Sequence, residues 1–235
     1  DGKLDEGQYA INNALIEWVT LANVVNAGGD ISDEAGNPTI NTDAMRSVVE
    51  QLKSVADAGL MSPYGEDGYA MFQSGDVLFS TDGTWTSTAH GSVEDLNFGV
   101  TNIYSVTPDK FTNRSSAHLF SLLNNEDRTD EKEQGVADFL SWMRENSLDW
   151  AGAGQIVASK EVFESEEYQQ YPQSFFTSSD VEKEASYIFD YKYYSYVESA
   201  LGTVLSDMIY GNITIDEGLD QAQKTVEDLI AENAS

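Results

Sequence analysis

Two tryptophans sit where a folded chain has little structural use for them. In GDVLFSTDGTWTS, residues 75–87, the short apolar run Val77-Leu78-Phe79 ends in a polar turn, and that turn displays Trp85. In LDWAGAGQIVAS, residues 148–159 (the last Ser being Ser159, after Ala158 and before Lys160), Trp150 precedes a glycine-rich loop that carries Gln155. Each indole lies at the edge of an element, beside Gly and small polar residues. A pyranose has an apolar C–H face and a rim of hydroxyls. An indole offers a flat π surface to that face, and Asp, Thr or Gln side chains can hydrogen-bond the rim. Asp82 and Thr84 stand beside Trp85 for that purpose. The alternative is a Trp that folds back over a sheet edge, and composition alone does not choose between the two.

Other chemistries find less support. The chain has two histidines, His90 and His118, and no HExxH, so a zinc site would need carboxylates for most of its ligands. There is no GxSxG elbow and no P-loop lysine. AGAGQIVA supplies Gly152 and Gly154 but lacks the third glycine and the preceding strand of a dinucleotide fingerprint. DISDEAGNPTIN resembles a calcium loop, yet counting from Asp30 puts Ala35 at the obligatory Gly position and Asn41 at the closing Glu. Neither a metal nor a cofactor is expected. Paired carboxylates abound, as they must in so acidic a chain, but nothing selects the pair a glycosidase needs.

The 235 residues carry 41 acidic and 12 basic side chains, a formal net charge of -29. Such a surface repels phosphate backbones, so nucleic acid is not an expected partner. It is also held off anionic lipid. No apolar run approaches the roughly 20 residues that span a bilayer, and DGKLDEGQYA has neither the basic nor the apolar section of an export signal. The absence of cysteine excludes disulfides, thiolate metal sites and Cys nucleophiles.

The elements that must position these residues read as helices alternating with short strands, an α/β pattern. Ile11, Leu15, Trp18, Ala22 and Val25 follow one helical face that stops at Gly28-Gly29. Met45, Val48, Val49, Leu52, Val55 and Ala56 make a cleaner stripe, capped by Asn41 or Thr42 and ended by Gly59. A short helix over Gly68–Gln73 precedes the Trp85 turn. Val136, Phe139, Leu140 and Met143 define another helix, with Asp130 and Glu131 near its positive end and Trp142 expected in the core. An aromatic and apolar helix over about 190–209 ends at Gly211, and Thr214 with Glu217 forms a capping box for the last helix. Strands are expected at Val77–Ser80, Asn97–Ile103 and His118–Leu123.

The order of motifs resembles a known family. In YAMFQSGDVLFSTDGTW, the residues Phe72, Ser74, Gly75, Val77, Phe79, Gly83 and Trp85 fill the pattern of the extracellular solute-binding proteins of bacterial ABC importers. The similarity is to the sugar-binding group that includes maltose-binding protein. Phe98-Gly99-Val100, SAHLFSLLNNEDRTDEKEQGVADFLSWM, WAGAGQIVASKEVFES and GNITIDEGLDQAQKTVEDLI follow in the family's order, so the resemblance runs from about Asn41 to the end. It implies a type II periplasmic-binding-protein-like fold of two α/β lobes. Residues 1–105 would be the first part of the second lobe, 106–165 a segment of the first lobe, and 166–235 the closing helices of the second. The opening half of the first lobe would be absent, and with it an export signal and the lipid-bearing Cys of a Gram-positive lipoprotein.

By the same resemblance the protein binds a sugar or oligosaccharide without breaking bonds, closes its lobes on it, and presents it outside the cell to an ABC transporter permease. Trp85 would be the stacking platform, with Asp82 and Thr84 beside it. Trp150 and Gln155 would face it across the cleft, His118 would lie near the hinge, and Tyr193 and Tyr194 would begin the late ligand helix. Core packing is the competing reading for His118, Tyr193 and Tyr194. Where some relatives have His-Ile-Pro, this chain has Gln155-Ile156-Val157. Two other functions stay open: an acidic glycoside hydrolase, which would turn sugar over, and a surface interaction module, which would bind a basic partner in a salt-sensitive way.

Overall fold

A cap, an apolar stripe and a stop account for most of the helices. The computed structural model describes residues 4–107, 109–179 and 184–233. Its elements are β1 (Tyr9–Ile11), α1 (Ile16–Asn26), α2 (Asp43–Asp57), α3 (Gly68–Ser74), β2 (Val77–Phe79), a 3-10 turn (Thr84–Thr86), α4 (Ser87–Gly91), β3 (Asn113–Arg114), α5 (Asp130–Glu145), α6 (Ser147–Gly152), α7 (Lys160–Phe163), 3-10 turns at Tyr168–Gln170 and Pro172–Thr177, β4 (Ser186–Tyr187), α8 (Tyr194–Ile209) and α9 (Ile215–Glu232). They form two compact units. The first comprises Asp1–Asp82, Asn102–Ser115 and Glu184–Ser235; the second comprises Gly83–Thr101 and Ser116–Lys183.

In the first unit Thr42 caps α2 by accepting a hydrogen bond from the Met45 N–H, and the expected box caps the start of α9, with Thr214 and Glu217 each bonding the other's backbone. α8 is the hub. It packs against α1, α2 and α9. Its Val197, Leu201, Val204, Leu205 and Met208 are buried with Met45, Val48, Val49 and Leu52 of α2 and Leu219, Ala222 and Val226 of α9. α8 and α9 approach closely at Gly218, where a Cβ would collide with the Met208 sulfur. β1 and β2 pair in parallel, Tyr9 with Val77 and Ile11 with Phe79, and β3 pairs in parallel with β4. Asn12 fixes the chain after β2: its Nδ2 donates to Ser80 Oγ at 2.7 Å and its Oδ1 accepts from the Thr81 N–H at 3.2 Å.

Arg114 of β3 lies between aromatic rings, 4.4 Å from the Trp18 ring centroid and 5.2 Å from that of Tyr194. It donates to the Tyr194 hydroxyl and to Glu198 Oε1, each at 2.6 Å. Glu17, one residue before Trp18, has its carboxyl pushed above the ordinary value of 4.5, first by burial and then by the nearby charge of Glu198; its own backbone hydrogen bond and Arg114 oppose the shift. The folded chain therefore holds the Glu17 proton to higher pH than the unfolded chain does. The associated stability is complete below about 4.5 and declines as pH rises through the raised native value. Thermal melts of Glu17→Gln and wild type over that window should differ in slope, the variant falling less with pH. Parallel curves would contradict the assignment.

Three expectations need correction. Ile11 belongs to β1, and α1 starts only at Ile16, after Leu15 in a left-handed conformation. Neither 97–103 nor 118–123 forms a strand. A strand needs a partner for its backbone groups, and Leu119, Phe120, Leu122 and Leu123 stand exposed instead. Trp142 is not core: it is 56% exposed, as its helix neighbour Phe139 is at 50%. The small apolar core of the second unit is built from Ala151, Val157 and Tyr168, with Leu148, Val162, Phe163 and Tyr171 packed on it, and it leaves the apolar stripe of α5 uncovered.

Candidate functional site

The Gly-x-Trp spacing has a steric reason. The six-membered ring of the Trp85 indole occupies the place where a Cβ on Gly83 would stand, so only glycine admits this pose. The 3-10 turn Thr84–Thr86 is tied down by Thr86 Oγ1 donating to the Gly83 carbonyl at 2.9 Å and Ser87 Oγ donating to the Thr84 carbonyl at 2.7 Å. The result is an indole held against its own turn and 49% exposed.

The second half of the site is the loop after α6. Gly154 has φ +89°, and a Cβ there would strike the Thr84 carbonyl and lie 2.8 Å from Ser87 Oγ and 2.9 Å from Trp85 Cα. The loop thus sits directly on the Trp85 turn. Thr88 Oγ1 adds a hydrogen bond to the Gly152 carbonyl at 2.9 Å. Trp150, 45% exposed, stands one turn earlier on α6, and His118 meets its ring edge-on at 6.0 Å. Gln155 follows Gly154 and is half-buried.

The second unit therefore brings together Thr84, Trp85, His118, Trp150 and Gln155. Asp82 belongs to the first unit and accepts a short hydrogen bond from Ser80 Oγ. Tyr193 and Tyr194 also lie in the first unit. Tyr193 stacks on Tyr196 at 5.7 Å, with Lys192 Nζ 4.8 Å from its centroid. Tyr194 stacks on Phe189 at 5.3 Å, and its hydroxyl is held by Arg114 and Glu198. Burial pushes the Tyr194 hydroxyl well above its ordinary value, against the pull of Arg114.

The framework residues Ser87 and Thr88 carry no signal in the sequence. In the sequence Gly154 belongs to a failed nucleotide fingerprint and to the segment WAGAGQIVASKEVFES; in the structure it packs closely on Thr84, Trp85 and Ser87. A depression of about 690 Å³ elsewhere in the second unit, lined by residues including Leu122, Leu123, Arg128 and Val136, contains none of the site residues.

Residues 3–177 match the family model for bacterial extracellular solute-binding proteins. The chain belongs to that family. Comparison with curated protein sequences gives no match. The fold of the solute-binding family member described here is the type II periplasmic-binding-protein-like α/β fold, as solved relatives of low identity show. One is the maltose/maltodextrin-binding domain MalE of Bdellovibrio bacteriovorus bound to maltotriose, with TM-score 0.73 and 16% identity over 98% of this chain and 62% of that one. Another is a sugar transporter protein of Arthrobacter chlorophenolicus with bound laminaribiose, with TM-score 0.75 and 13% identity over 95% and 61%. A third is the cyclic α-maltosyl-1,6-maltose binding protein of Arthrobacter globiformis, with TM-score 0.69 and 17% identity over 97% and 61%. The chain spans about three-fifths of the length of these relatives. Among the described residues no helix is long and apolar enough to cross a membrane.

Proposed function

We propose that this solute-binding protein is a receptor for a sugar or oligosaccharide, which it hands to the permease of an ABC importer on the outer side of the membrane. One observation carries the reading. Trp85 is half exposed on a turn that glycine packing locks in place, and the Trp150–Gln155 loop is seated on that same turn. A half-exposed indole loses little on burial against a sugar face, because its own rotamer is already fixed. Thr84 and Gln155 supply hydrogen-bonding groups at the rim, and His118 supports Trp150 from the side. Asp82, Tyr193 and Tyr194 lie in the first unit, and this reading does not rest on them. The sugars named with the solved relatives, maltotriose and laminaribiose, guide the choice of ligand to try.

The function proposed is binding without turnover. Intrinsic tryptophan fluorescence should change saturably on titration with maltotriose or laminaribiose, and chromatography of the incubated sugar should reveal no product. A flat titration across linear α- and β-glucans, with the chain folded by far-UV circular dichroism, would count against the receptor. Accumulating product would favour a hydrolase instead.

A further inference from the structure

Gln173 lies in the 3-10 turn Pro172–Thr177 and is 1% exposed. Its Nε2 donates to the Ala151 carbonyl at 2.7 Å and to the Gln155 carbonyl at 3.3 Å. Those two carbonyls bracket the loop whose Gly154 rests on the Trp85 turn, and Ala151 directly follows Trp150. The side-chain oxygen of Gln173 meets no donor among the described residues. A buried acceptor without a partner is unfavourable, and an apolar side chain of the same length would avoid that cost beside Ala151. The gain from glutamine is therefore its two N–H donors, which hold the loop at both ends. We infer that Gln173 is a positioning residue that sets Trp150 and Gln155 for ligand and touches no ligand itself. The link to ligand rests on the sugar-receptor reading above; the clamp on the loop does not.

Two substitutions separate the donors from the volume. Gln173→Met keeps the length and loses both donors. Gln173→Glu keeps the shape: ionised, it presents only acceptors to two carbonyls, and protonated, it regains one O–H donor. Ionisable groups stand on the elements around the loop, with Asp149 beside Trp150 on α6, His118 on the Trp150 ring, and Tyr168 and Tyr171 just before the Gln173 turn, so wild type is run alongside at each pH.

The sugar-free readout is the indole N–H signal of Trp150 in ¹H–¹⁵N correlation spectra. It should shift or broaden in Gln173→Met at every pH, and in Gln173→Glu at pH 7 with recovery toward wild type at pH 5. The affinity for maltotriose should weaken about tenfold in Gln173→Met, and Gln173→Glu should regain most of its loss at pH 5 relative to wild type. An unmoved Trp150 signal in both variants overturns the clamp. A glutamate variant without acid recovery overturns the role of the donors. A moved signal with unchanged affinity overturns the link to ligand. Failure of wild type to bind any sugar counts against the receptor reading and its link to Gln173, while the indole signal still decides the clamp.

Discussion

Replacing Trp85 by alanine should weaken sugar binding by about 30-fold or more, equivalent to about 2 kcal/mol or more. An aromatic platform at the centre of a contact is the kind of residue whose truncation has the largest effect. Trp85 is already rigid, held over Gly83, so the whole loss falls on the contact with ligand rather than on ordering the ring. Stability should change little, because the indole is half exposed and contributes to neither apolar cluster. Trp85→Phe should recover part of the affinity, since a smaller ring still offers a π face. Calorimetric titration with maltotriose, paired with a thermal melt, checks both halves. A variant that binds like wild type would remove Trp85 from the site, and a variant that fails to fold would show that the indole is structural.

The largest effect on stability is expected at Leu205. This residue is fully buried on α8, the helix against which α1, α2 and α9 all pack. Leu205→Ala deletes apolar volume where three neighbours cannot collapse together, and such changes cost about 2–5 kcal/mol. For a unit of this size that corresponds to a fall in Tm of about 10 °C. Lys224→Ala, which removes an exposed i,i+4 pair with Asp228, should change stability by less than about 0.5 kcal/mol. Far-UV circular dichroism melts of the two variants measure the contrast. Equal melting temperatures would mean that α8 is not the hub of its unit.

The helices of the first unit were legible because their signals are local. The Thr42 cap, the Gly59 stop and the Thr214–Glu217 box each act within one or two turns and owe nothing to distant residues. The start of α1 is hidden in the sequence because the apolar spacing of Ile11, Leu15 and Trp18 runs across a strand and a left-handed turn without a break in pattern. The runs 97–103 and 118–123 have strand composition, but a strand is a property of a pair, and composition says nothing about whether the partner is at hand. Phe98 instead packs edge-on against His90 at 5.7 Å. Trp142 shows the same limit for helices: an amphipathic stripe predicts a face to be covered, not what covers it.

Trp85 stands out in the sequence because a large aromatic after Asp82-Gly83-Thr84 contradicts local turn preference. Nothing in YPQSFF marks Gln173, since a glutamine reveals its role only when two carbonyls from 18 and 22 residues away arrive beside it.

The four tryptophans offer the most direct test of the central claim, that Trp85 and Trp150 together present the sugar-binding face. Each indole N–H gives one signal in a ¹H–¹⁵N correlation spectrum, assigned by single Trp→Phe replacements. On titration with maltotriose, the signals of Trp85 and Trp150 should move together with one saturation curve, while those of Trp18, under Arg114, and Trp142, on α5, should stay in place. Movement of Trp142 or Trp18 alone, or no movement of any indole with either maltotriose or laminaribiose, would contradict the account.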